Sequence, residues 1–429
     1  MSHKDLQYER IRPGNEPLPN SNNLLPIMLA GFLIIYFVFF ICPVFLNSKH
    51  NMEFFKYVSA INPIGVDLKQ MLSYSESWFM LKQTPYIGAN LYPPLATVLF
   101  TPLLFVDFAT AYTMIVVVNL GVYIFTTYFF PLWLIARTKR YLSPWLMFFF
   151  ITGLFSYGLQ FELERGQFNL IAMFFCLFSI WIYHHHEKYR WWAYFLFAIS
   201  IQLKVFPAIF IVMFVHDWKD WTNNIKRLIG LITLNFGLLF ILGPQVFVDF
   251  LKAIKTQAVN PYVWIGNHSI RSFVGLFQMY GDRLPDKLSL MTTYSGLIQF
   301  VLLVFVAVCI LLIILQAYRR PQKDINGYLL LACTVGSLII PPVSHDYKLS
   351  ILTAPVAVLF STIHDNTYHR LPIIVSILVL AFSLAYSSVL FSYTNKPIIL
   401  SNNLPALMTM LFIITGLSLI TKSEYLMNS

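Results

Sequence analysis

Between Glu162 and Asn169 the chain sets two carboxylates (Glu162, Glu164), Arg165, Gln167 and Asn169 within eight residues, flanked by long apolar runs. Each of these groups is costly to bury without a partner, and costlier still facing lipid. Similar clusters recur along the chain. Asp67 lies in NPIGVDLKQ, and Tyr92-Pro93-Pro94 opens an apolar run. Lys204 and Pro207 interrupt another in QLKVFP. Asn267, His268, Ser269 and Arg271 sit together in WIGNHSIRS, and His345, Asp346 and Lys348 in PPVSHDYK. Plainer readings exist for each: Gln167 and Asn169 as helix caps, Gly166 as a turn residue, Lys204 snorkelling to water, Asp67 merely solvated. No glycine-rich phosphate loop, HExxH or paired-cysteine motif occurs, so one outward-facing site shared by several loops is expected rather than an intracellular nucleotide site.

The elements that position these clusters follow from composition. Of 429 residues 58% are hydrophobic and 11% charged, mean hydropathy is +0.67, and there are 40 Phe and 24 Tyr. Apolar runs of about 20 residues recur, the length that crosses a hydrocarbon core of ~30 Å. No ten-residue alternation points to a β-barrel. The fold class expected is an all-α polytopic membrane protein. The net charge of +10 collects in loops, which marks the cytoplasmic side rather than nucleic-acid binding. Those loops are RTKR (137–140), HHHEKYR (184–190), HDWKDWTNNIKR (216–227), YRRPQK (318–323) and YHR (368–370). Cys42, Cys176, Cys309 and Cys333 have neither metal-ligand nor disulfide spacing and read as packing residues.

Threading the chain through these assignments gives a cytoplasmic tail over 1–23, one integral-membrane domain over 24–421 and a tail over 422–429. Leu24–Leu46 reads as a retained span rather than a cleaved signal. The outer loops fall at 47–93, 159–167, 244–291, 341–348 and 391–403, so nearly every polar cluster faces one side. Pro94–Val106 is too short to cross and reads as a juxtamembrane helix. Trp191–Val215 has cytoplasmic flanks at both ends and is expected to break near Lys204–Pro207 into a re-entrant pair. The total is about 10–12 transmembrane helices.

The order of the clusters resembles glycosyltransferase family 87, whose members have the GT-C fold. The resemblance runs from Asp67 to Pro355. It takes in a first-loop Asp, Tyr92-Pro93-Pro94, Gly166-Gln167-Phe168-Asn169, Lys204-Val205-Phe206-Pro207, Asn267-His268-Ser269 and Ser344-His345. Gly166–Asn169 with Lys204–Pro207 is its most specific part. It implies a bacterial enzyme of the cytoplasmic membrane with its site facing the periplasm or cell exterior. Such enzymes, typified by polyprenol-phosphate-mannose-dependent α-mannosyltransferases, use polyprenyl-phosphate-linked sugars as donors. The acceptor would be a lipid or glycan hydroxyl, the first-choice sugar mannose, and neither metal nor cofactor would be needed.

By that resemblance Asp67 is the general base of an inverting transfer. Lys204 and Arg165 are candidates to hold the phosphate, and Gln167, Asn169 and Asn267 to read sugar hydroxyls. His345 would meet either the phosphate or the acceptor. The chemistry is consistent: a phosphate monoester has a second pKa near ~6 and leaves without a strong acid, so one base and a set of donors suffice. The alternative is a polytopic transporter or lipid flippase with an anion site at the broken helix. Against it, the clusters gather on one side and no two-fold internal repeat is evident.

Overall fold

The computed structural model describes residues 64–138, 144–259, 262–279, 292–319, 324–362 and 402–427, apart from positions 87, 89 and 155, with short helical pieces at 378–379 and 381–382. The expected span Leu24–Leu46, the YHR loop (368–370), nearly all of the 391–403 loop, and Cys42 lie outside these residues.

Every regular element among them is helical. In chain order these are α1 (Val66–Phe79), α2 (Pro94–Phe100), α3 (Phe108–Ile124), α4 (Phe130–Thr138), α5 (Pro144–Leu154), α6 (Tyr157–Arg165), α7 (Asn169–His185) and α8 (Arg190–Leu203). Then come α9 (Trp221–Leu238), α10 (Pro244–Val259), α11 (Ile270–Met279), α12 (Ser295–Ala317), α13 (Gly327–Ile339), α14 (Thr353–Thr362) and α15 (Leu404–Met427). Tight 3-10 turns extend α2 (Thr101–Phe105), follow α8 (Phe206–Met213) and precede α14 (Asp346–Leu352). A β-bridge pairs Asn267 with His345.

Local chemistry sets several of the ends. Asp107 caps α3 by accepting from Thr110 N at 3.0 Å, and Asn326 caps α13 by accepting from Leu329 N at 3.1 Å. Between α3 and α4 the helix widens at Phe125–Phe129, where the Thr126 and Thr127 hydroxyls donate back to the Val122 and Tyr123 carbonyls. Helix α8 stops at Lys204, whose backbone is extended (φ −147°, ψ 135°), and Pro207 then opens the 3-10 turn. The expected break in Trp191–Val215 therefore falls where a lysine and a proline interrupt the apolar run.

Helices α13 and α14 form the centre. Leu329 to Ile339 and Thr353 to Ser361 are buried without exception. Helix α12 differs: Val306, Cys309, Ile313 and Ala317 face inward, while Leu297, Phe300, Val304, Val308 and Leu311 stay exposed, a stripe suited to lipid. Cys176, Cys309 and Cys333 are buried and unpaired by disulfides.

By length and composition, two helical stretches among the described residues can cross a membrane, Phe108–Arg137 and Ser295–Ala317. A third is possible if Leu146–Leu154 and Tyr157–Arg165, bent by 45°, count as one. This is fewer than the sequence reading expects. Pro94–Phe105, Asn169–His185, Gly327–Ile339 and Leu404–Ile420 are apolar but shorter, because breaks and 3-10 turns divide the runs. Boundaries shift as well. The 47–93 and 244–291 stretches, read as loops, hold α1, α10 and α11, and α9 begins at Trp221, so Lys226 and Arg227 are helical.

Candidate active site

Two glycines in left-handed backbone bring α1 against α6. Gly65 (φ 72°) leads into α1, and its N–H donates to Glu164 O at 2.7 Å. Gly166 (φ 65°) ends α6, and a Cβ there would lie 2.8 Å from Leu68 Cβ. The Tyr112 hydroxyl ties α3 to the same corner by donating to Leu163 O at 2.9 Å. Asp67, in the first turn of α1, is thereby set beside the residues that follow α6.

The Gln167 amide then joins an acid to a cation. Its Nε2 donates to Asp67 Oδ2 at 2.6 Å, and its Oε1 accepts from Lys204 Nζ at 2.6 Å. Ammonium can only donate and carboxylate can only accept, so this amide orientation is required. Lys204 is buried, as a snorkelling side chain would not be. Its Nζ lies 4.4 Å from the ring centres of Tyr92 and Phe168 and 5.9 Å from that of Tyr347. The Tyr92 hydroxyl is 3.3 Å from both Lys204 Nζ and Gln167 Nε2. Arg165 stands off: its guanidinium is 3.8 Å from Asp67 Oδ1 and stacks over the Phe161 ring at 4.9 Å. Asn119 Nδ2 holds the Gln167 carbonyl at 2.6 Å, fixing the backbone beneath the amide.

Capping of α7 falls to Glu162 rather than to Gln167 or Asn169. Buried Glu162 accepts from Leu170 N at 2.9 Å through Oε1 and from the Ser350 hydroxyl through Oε2. One carboxylate thus ties α6, the α7 N-terminus and the 346–352 turn, and suits the positive helix end. Asn169 is fully buried at the first position of α7, off the cavity wall, and its amide has no hydrogen-bond partner among the described residues.

A second polar cluster binds loop to loop. Asn267 Nδ2 donates to Tyr262 O at 2.9 Å and Pro342 O at 3.0 Å, while Oδ1 accepts from Ser269 N at 3.2 Å and Ser344 N at 2.9 Å. Its side chain has no capacity left for a sugar, and it does not reach the cavity wall. His268 accepts from Asn403 N at 3.2 Å through Nδ1, which leaves its Nε2–H to donate to Asp346 Oδ1. Asn402 Nδ2 donates to Ile265 O at 2.8 Å and Asn267 O at 2.9 Å.

This staple holds His345 and Trp264 at the wall. The His345 ring lies 5.5 Å from Trp264, 5.5 Å from Tyr347 and 6.1 Å from Tyr262, and its Nδ1 has no hydrogen-bond partner among the described residues. Burial, followed by the charge of Lys348, pushes its pKa down to about 3, so the imidazole is neutral at physiological pH.

All these wall residues enclose one cavity of about 1060 Å³. Asp67, Tyr92, Arg165, Gln167, Lys204 and His345 line it, together with Tyr347, Lys348 and apolar side chains such as Ile254 and Ile340. Of the residues singled out in the sequence, five converge here (Asp67, Arg165, Gln167, Lys204, His345), while Asn169 and Asn267 lie behind the wall. The roles of Tyr92 and Lys348 were not read from sequence, although Tyr92 had a signal. The two prolines after it fix the backbone that aims its ring. A second hollow of about 450 Å³, among Phe178, Trp181, His186 and Trp192, has no such line of acid, amide and cation.

Apolar helices around a cavity with a single acid–amide–cation line describe a helical membrane protein built to handle a polar or anionic ligand. The model of glycosyltransferase family 87 matches residues 90–342, more than half of the chain, and the chain belongs to that family of membrane glycosyltransferases. No curated protein matches it. The matched span holds Tyr92, Arg165, Gln167, Asn169, Lys204 and Asn267. Asp67 and His345 lie outside it, and the Gln167 hydrogen bond ties Asp67 to it.

Proposed function

We propose that the chain moves a sugar, mannose being the first candidate, from a polyprenyl-phosphate donor to a hydroxyl of a lipid or glycan acceptor, with Asp67 as general base. The acceptor oxygen bonds to the anomeric carbon as the bond from that carbon to the phosphate oxygen breaks. The electron pair leaves with the phosphate, and the acceptor proton passes to Asp67. Attack opposite the leaving group inverts the anomeric centre. Lys204 and Arg165 meet the phosphate, Arg165 being able to do so with two parallel hydrogen bonds. Gln167 holds Asp67 and Lys204 at a fixed separation, as a base and a leaving-group site on either side of one sugar require. Neutral His345 serves a hydroxyl or a phosphate oxygen through uncharged hydrogen bonds.

The observation that carries this reading is the Asp67–Gln167–Lys204 line on the wall of a cavity of about 1060 Å³, in a chain of a glycosyltransferase family. The site is expected to face the periplasm or cell exterior of a bacterial cytoplasmic membrane. The test is a radiolabelled polyprenyl-phosphate mannose incubated with membranes that contain the full chain. Acceptor-dependent transfer of label supports the reading. Movement of the labelled lipid between leaflets without transfer would favour a flippase and overturn it.

A further inference from the structure

The Tyr92 hydroxyl has a proton that the acid–amide–cation line does not use. Its oxygen is 3.3 Å from Gln167 Nε2 and 3.3 Å from Lys204 Nζ. With Lys204 as an ammonium, both nitrogens are donors and neither can accept. The phenol oxygen therefore receives both hydrogen bonds, and its own O–H must point elsewhere. Tyr92 lines the cavity, so the available direction is toward a ligand.

The ring is held in place for this. It packs on Phe168 at 5.2 Å and under Lys204. Its backbone N–H donates to Asn90 Oδ1 at 3.0 Å, and its carbonyl accepts from the Tyr86 hydroxyl at 2.7 Å. Burial, and then the negative charge of Asp67, raise its pKa, which keeps it a phenol rather than a phenolate. It is thus a donor with little freedom to reorient.

We infer that Tyr92 donates its O–H to the departing phosphate oxygen of the donor substrate, beside Lys204. This rests on the proposed donor class. An ammonium and a hydroxyl 3.3 Å apart can converge on one anionic oxygen, whereas the Asp67 carboxylate would repel it. No proton is transferred. As the bond from the anomeric carbon breaks, its electron pair stays on the phosphate oxygen, and the hydrogen bond from Tyr92 strengthens as that charge grows. The group acts mainly in the transition state. Removing one such preorganised donor typically lowers kcat by about 10²–10³-fold.

The experiment uses the full-length protein in lipid nanodiscs with radiolabelled polyprenyl-phosphate mannose. Tyr92→Phe keeps the ring over which Lys204 sits. It should lower kcat by about 10²–10³-fold with donor KM within about threefold. Tyr92→Phe also deprives Gln167 and Lys204 of an acceptor, so a second series separates the roles. Mono- and difluorotyrosine installed at position 92 retain shape while making the hydroxyl a better donor and a poorer acceptor. Assayed below their ionisation, they should keep or raise the rate in order of acidity. A rate that falls with acidity would assign Tyr92 to supporting Gln167 and Lys204 alone and overturn the inference, as would a Tyr92→Phe protein of near-normal kcat. Should wild-type protein transfer nothing from this donor, the donor reading fails and takes the Tyr92 role with it. Should wild type transfer and Tyr92→Phe match it, the Tyr92 role alone fails.

Discussion

Two polar clusters, equally conspicuous in sequence, use their hydrogen bonds in opposite ways: Asn267 and His268 are fully buried, whereas Asp67, Tyr92 and Arg165 are partly exposed. Around Asn267 and His268, side chains spend their capacity on backbone groups of other loops: the four polar positions of Asn267 go to Tyr262, Pro342, Ser269 and Ser344. Around Gln167, side chains bond to one another and leave capacity facing a cavity. The Tyr92 proton and the loosely held Arg165 belong to that spare capacity. Fully satisfied polar groups fix loops; partly satisfied ones at a cavity wall have room for substrate.

The comparison breaks most visibly at Asp67. Asp67→Asn keeps an oxygen for Gln167 Nε2 but removes the proposed base. Turnover should fall by about 10²–10⁴-fold, ~3–5.5 kcal/mol of barrier, while donor binding in equilibrium titrations changes little. A properly folded variant that keeps most of its turnover would return Asp67 to the role of a solvated side chain. Lys204→Gln comes next. A charge-assisted contact made in both ground and transition states is worth about 1.5–3 kcal/mol, so donor Kd should rise roughly 10–100-fold along with the loss of rate. Unchanged donor affinity would remove the phosphate from Lys204.

On the other side of the comparison, Asn267→Ala strips a partner from four backbone groups, two of them on the buried Ser269 and Ser344. It should cost about 2–4 kcal/mol in thermal denaturation, while the rate per folded molecule stays within about threefold. A stable Asn267→Ala protein with lost transfer would move Asn267 into the site. The smallest effect is a pH dependence. The imidazole of His345 has a folded pKa of about 3 against an ordinary 6.5. The unfolded chain then binds a proton below about 6.5 that the folded one refuses, so this contribution to stability is complete above 6.5 and is lost as pH falls toward 3. Melting curves at pH 5 and pH 8 should draw closer together in His345→Gln than in wild type. Equal spacing in both proteins would mean that the imidazole is not held neutral by the fold.

What could be read from sequence was local. Lys204 and Pro207 interrupt an apolar run, and the helix breaks there because neither residue suits its continuation. Asp67, Gln167 and Lys204 stood out because polar groups are scarce in a chain that is 58% hydrophobic. The rest depends on partners far away in the chain. Glu162 caps α7 and meets Ser350, 188 positions on, and Asn267 meets Pro342, 75 positions on. Nothing near Asn267 in the sequence marks it as a staple rather than a sugar ligand. Whether an apolar run crosses a membrane was not legible either: Asn169–His185 and Gly327–Ile339 are apolar but end short of a full span.

A displacement with Asp67 as its only base fixes the stereochemistry of the product. The direct measurement is the anomeric configuration of the newly made glycoside, read by NMR, against that of the polyprenyl-phosphate donor. The account predicts inversion. Retention would require a covalent glycosyl–enzyme intermediate and a nucleophile in place of a base, and would contradict the role given to Asp67.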